Sequence, residues 1–165
     1  MDFSRILKTG AVSGAIYGVL QGIVSVLSYV FYRQDIIDLI RTSIPSGVNI
    51  PMTMDQLADI GMITAIPGSI IGGIIAGIIV AFIFSLMRED LWGKNDKIKG
   101  VFLCVLLTMA ILLGAALYPN SIIAGLFMVQ TRFLLLTPLS VAFFIFSGYL
   151  TGMFYERFGG GKRKK

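Results

Sequence analysis

Gly10, Gly14, Gly18 and Gly22 recur every four residues inside a run from Thr9 to Tyr32 that contains no charged side chain. A run of this length can cross a bilayer, and glycines at i, i+4 fall on one helix face, where a second backbone can come close. The first expected element is therefore a packed membrane helix.

The remaining composition fits that element. Hydrophobic residues make up 56% of the 165-residue chain, charged residues 14%, and mean hydropathy is +0.85, against roughly 25% charged residues in a soluble domain. Although Arg5 and Lys8 precede the first apolar run as in a signal peptide, the run is too long and lacks a small-residue cleavage site, so an uncleaved anchor is expected.

Three more spans follow. The run Gly61 to Met87 exceeds what a bilayer needs, and Pro67 suggests that the membrane part begins there, with Ile60 to Ile66 in the interface. The third span is expected over about Ile98 to Tyr118, ending at Pro119-Asn120, and the fourth over about Phe133 to Tyr155. The fold class is thus an all-α integral membrane protein: one four-helix domain over residues 1–158, followed by a flexible basic tail, 159–165.

The basic residues set the expected orientation. Eleven of fourteen lie in the N-terminal segment, the Arg88 to Lys99 loop and the C-terminal tail, while the other two loops hold Arg33, Arg41 and Arg132. The positive-inside rule then puts both termini in the cytoplasm, and a prokaryotic plasma membrane is the expected location. Lys162 to Lys165 suit contact with anionic lipid, and no nucleic-acid partner is expected.

Between spans one and two lie about 28 residues with helical pattern in both halves. The first helix is expected to continue to about Thr42, Pro45, Gly47 and Pro51 to break it, and Thr53 with Gln56 to form a capping box for the next. The result would be an outer helical hairpin. Its Asp35, Asp38, Asp55 and Asp59 form a candidate cation vestibule, although solvation of the hairpin explains them as simply. The other outer loop, Pro119 to Arg132, reads as a short interfacial helix.

Helix contact in lipid depends on close backbone approach and interhelical hydrogen bonds. The second span carries a stripe to match the first, Ser69, Gly73, Gly77 and Ala81, with the offset pair Gly68 and Gly72; the fourth adds Gly148 and Gly152. Two facing antiparallel stripes are the simplest arrangement, and a stripe turned outward would be an oligomer interface. Tyr17 and Gln21 are the candidates for polar contact with another helix or with a solute.

No Asp, Glu, Lys or Arg lies within a span core, which disfavours an ion-coupled transporter. With no histidine and one cysteine, Cys104, neither a zinc set nor a thiol nucleophile is expected; Met52, Met54 and Met62 read as apolar packing, not a copper site. The sequence therefore predicts a protein without cofactor or catalytic residues. Its expected partners are lipid, further copies of itself or other membrane subunits, and a small channel or facilitator is the alternative.

Overall fold

The computed structural model describes residues 2–44, 51–117 and 136–159. Of the described residues 89% are helical and none lies in a strand. Among the described residues there are five helices: α1 Phe3–Phe31, α2 Arg33–Ser43, α3 Met54–Met87, α4 Asp96–Leu117 and α5 Thr137–Gly159. All but α2 are long and apolar enough to cross a membrane. The expected helix over Pro119 to Arg132, the breakers Pro45 and Gly47, and the basic tail beyond Gly159 lie outside the described residues.

Helices α1, α3 and α4 begin where a side chain answers a free N–H group. Asp2 accepts from the Arg5 N–H at 3.2 Å to start α1. In the capping box of α3, Thr53 Oγ1 accepts from the Gln56 N–H and Gln56 Oε1 from the Thr53 N–H, at 3.2 and 2.9 Å. Asn95 Oδ1 accepts from the Ile98 N–H at 3.0 Å and caps α4. Ahead of it, the connection from α3 turns through Gly93, whose φ of +146° other residues rarely adopt.

One boundary differs from the sequence expectation. The first helix does not run on to Thr42: Tyr32, at φ −122° and ψ 33°, breaks it, and α2 restarts at Arg33 with Ile36 and Ile37 turned inward. Burying that apolar pair against the bundle favours the bend over a straight rod standing in solvent. The start of α3 is the expected one: the capping box of Thr53 and Gln56 opens the helix at Met54, and it passes on through Pro67. Proline removes one backbone donor, the partner of the exposed Ile63 carbonyl, which a long helix otherwise well bonded can tolerate.

At 34 residues α3 is about 51 Å long by the usual rise, well over a bilayer's apolar thickness. Its first turns therefore extend past α1 to meet α2. Helix α1 is central: it packs on α3 along one face and on α5 along another, and α5 in turn carries α4. Where the chain brings Arg5, Arg88 and Tyr155 together, the bundle closes on an apolar core of Ile6, Phe84, Leu103, Cys104 and Leu91. At the opposite end, under α2, it opens.

Candidate functional site: helix seams and a chamber under helix α2

The two small-residue stripes face one another. A Cβ added at Gly10 would lie 2.7 Å from the Gly77 carbonyl oxygen, one at Gly14 3.0 Å from Gly77 Cα, and one at Gly18 2.7 Å from Ile70 Cα. From the other side, a Cβ at Gly73 would lie 2.7 Å from Gly18 Cα and one at Gly77 2.6 Å from Gly14 Cα. No real side chain fits such gaps, so the backbones touch directly. Gly22 meets Ile66, Gly18 meets the carbonyl of Ser69, and Ala81 is fully buried in the adjoining core.

Gly148 and Gly152 meet α4 in the same manner. Their partners there are Gly100, Lys97 and the Asp96 backbone, and a Cβ at Gly148 would stand 2.8 Å from Cys104 Sγ. Sequence reasoning missed Gly100, because it directly follows Lys99 at the start of the expected third span and has no glycine four residues to either side. The signal was nevertheless present: Asp96, Gly100, Cys104 and Thr108 recur every four residues along one face of α4. In contrast, Gly68, Gly72 and Gly114 would meet nothing within 4 Å.

A second face of α1, one residue round from the glycines, carries Thr9, Ser13, Tyr17 and Gln21. It faces α5 in antiparallel register. Thr151 Oγ1 donates to Ser13 Oγ at 3.2 Å, Tyr17 packs edge-on against the Phe144 ring with centroids 5.8 Å apart, and Gln21 Nε2 donates to Ser140 Oγ at 3.2 Å. Gln21 thus bonds another helix. Its Oε1, however, is buried and has no partner among the described residues.

Gln21 also reaches a partly open cavity of about 700 Å³ bounded by α1, α2, the first turns of α3 and the start of α5. One wall is polar but uncharged, with Ser25, Ser28 and Ser140 beside Gln21; the opposite wall is apolar, with Ile36, Leu39, Ile40 and Leu57. Tyr17 is not part of it. The size falls within the roughly 300–1,000 Å³ of small-molecule sites.

Around the mouth, the four candidate vestibule acids do not stand free together. Arg33 pairs with Asp59 at 2.8 Å and with Asp55 at 3.3 Å, and Arg41 pairs with Asp38 at 3.4 Å; Asp35 is exposed on α2. The guanidinium of Arg33 is pushed above its usual value by its hydrogen bond to Asp59 and then by that to Asp55. These pairs are largely exposed and stabilise little, but the two made by Arg33 run from α2 to α3 and orient one helix on the other.

At the closed end the charged groups form a second network. Arg88 Nε donates to Asp96 Oδ1 at 2.7 Å, Glu156 Oε1 accepts from the Asp96 N–H at 3.0 Å, and Lys99 Nζ donates to the Arg88 carbonyl. Arg88 is pushed above its usual value, chiefly by the hydrogen bond to Asp96. No group of three or more metal-ligating side chains exists among the described residues. No protein-family model, curated protein or solved structure matches the chain.

Proposed function

We propose that the chain is a non-enzymatic integral membrane protein, both termini cytoplasmic, that works by helix association as a homo-oligomer or as a small subunit of a membrane complex. The observation that carries this reading is the pair Gly68 and Gly72. Each is exposed on α3 with no atom near its missing Cβ, while Gly73 and Gly77, on the other side of the same helix, are pressed against α1. A helical glycine costs roughly 1 kcal/mol relative to alanine. At Gly73 and Gly77 close packing offsets that cost, and at Gly68 and Gly72 nothing among the described residues does.

Exposed Thr64 lies one turn before Gly68, so Thr64, Gly68 and Gly72 form a shallow row beside the exposed side chains of Ile63, Ile71 and Ile75. A row of that kind accepts a second helix at short distance. The charged groups favour association over chemistry, because, Asp35 apart, those described above are tied into ion pairs and backbone bonds at the two ends of the bundle. A facilitator for a small neutral solute is the second reading, favoured by the chamber. A cation path has less support, since Asp38, Asp55 and Asp59 are paired and the far end is filled by Ile6, Phe84 and Leu103.

The test is the mass of the purified chain in mild detergent, with any co-purifying proteins identified. A defined oligomer or complex is expected from wild type, and Gly68→Leu/Gly72→Leu should reduce it to a single chain with an unchanged thermal midpoint. Gly14→Leu should instead lower the midpoint, by an overpacking loss of about 3 kcal/mol. A wild-type chain that runs alone, or a double variant that keeps the wild-type mass, overturns the reading.

A further inference from the structure

The walls of the chamber under α2 have a chemical polarity of their own, independent of the α3 face. Ser25 Oγ donates to the Gln21 carbonyl at 3.0 Å, Ser28 Oγ to the Val24 carbonyl at 2.9 Å, and Ser43 Oγ to the Leu39 carbonyl at 2.7 Å. Ser25, Ser28 and Ser43 have each spent their proton on their own helix. What each retains toward the cavity is an oxygen lone pair.

Gln21 adds to this. Its Nε2 is committed to Ser140, and its Oε1 is buried with no partner among the described residues. An amide oxygen left this way costs about 1–3 kcal/mol, so the site is short of a donor. Were the amide turned over, an N–H would be left instead, and a hydroxyl can answer either end. Among the described residues the chamber walls carry no charged side chain, and beside these an ammonium or carboxylate would lose its hydration without gaining a counter-ion. Opposite the polar wall, Ile36, Leu39, Ile40 and Leu57 offer apolar surface suited to an alkyl chain.

We infer that the chamber is a binding site for an uncharged amphiphile with a hydroxyl head, such as a monoacylglycerol or a long-chain alcohol. The head donates to Gln21 Oε1 and to the serine oxygens of α1. The chain lies along the apolar side of α2 and the first turns of α3. Arg33, tied to Asp55 and Asp59, holds α2 over the site from outside without entering it.

The full chain, purified and delipidated in an amine-oxide detergent that has no hydroxyl group, supplies the test. Native mass spectrometry should detect one retained monooleoylglycerol per chain. The same lipid with both hydroxyls capped as methyl ethers should bind at least about tenfold more weakly, and oleate and an oleyl ammonium no better than the capped lipid. Gln21→Leu should lower affinity for the hydroxyl lipid about tenfold and bring it level with its ether. Leu39→Trp, which fills the chamber from α2 and leaves the α1–α5 bond intact, should abolish retention with helicity unchanged. Equal binding of the alcohol and its ether, absence of retention by wild type, or full retention by Leu39→Trp would each overturn the assignment.

Discussion

The guanidinium of Arg5 lies over the ring of Tyr155, 3.6 Å from its centroid, while its Nε and Nη2 donate to the carbonyl of the same residue, the former at 2.7 Å. The contact joins the first turns of α1 to the last turns of α5, where a cation also complements the helix end. Tyr155 serves this junction in a second direction, its hydroxyl lying 3.0 Å from Ser85 Oγ on α3. Three helices are thereby fixed at the closed end of the bundle.

Replacing Arg5 should therefore loosen that end. Arg5→Ala loses two charge-assisted donors and the ring contact, an expected loss of about 2–3 kcal/mol, read as a lower thermal midpoint in detergent. Tyr155→Phe keeps ring and carbonyl and forfeits only the Ser85 contact, about 1 kcal/mol. Arg5→Lys should fall between them, since an ammonium cannot reproduce the planar fork. Equal midpoints for Arg5→Ala and wild type would remove Arg5 from the junction.

The Arg88 and Asp96 pair predicts a different pattern. The Asp96 side chain is 7% exposed and that of Arg88 41%, so the carboxylate is the partner that cannot return to water. Arg88→Met strands it and should cost about 3 kcal/mol, whereas Asp96→Asn retains an acceptor for Arg88 Nε and should cost about 1 kcal/mol. The double variant should recover part of the Arg88→Met loss. Because Arg88 is raised above an already high value, the arginine brings no pH dependence in the neutral range: its contribution is present below the unfolded value and is lost only in strong alkali. Additive losses in the double variant would show that the two side chains do not act on one another.

The orientation proposed from the basic residues can be checked by labelling. Gln34 and Lys94 are both exposed, on α2 and in the α3–α4 connection. With Cys104→Ala as background, Gln34→Cys should react with an impermeant thiol reagent in sealed cells, and Lys94→Cys only after permeabilisation. The reverse pattern would invert the topology.

The sequence by itself determined the helices. Apolar runs without charge define α1, α3, α4 and α5, Thr53 and Gln56 announce the start of α3, and the i+4 glycines mark which faces admit a backbone. Each of these is local: a run, a cap or a spacing acts within a few turns and needs no knowledge of the partner. Tertiary structure decided what local pattern leaves open. Gly72 and Gly73 are neighbours in sequence, yet one is bare and the other pressed on Gly18, because only the position of α1 distinguishes the two sides of α3. Tyr32 breaks the helix expected to reach Thr42 because Ile36 and Ile37 gain burial once the chain bends, a gain that depends on helices far away in sequence. The chamber is likewise invisible in the sequence. The lone pairs of Ser25 and Ser28 and the unanswered Gln21 oxygen converge only when α2 folds back over α1 and α5 arrives from more than a hundred residues downstream.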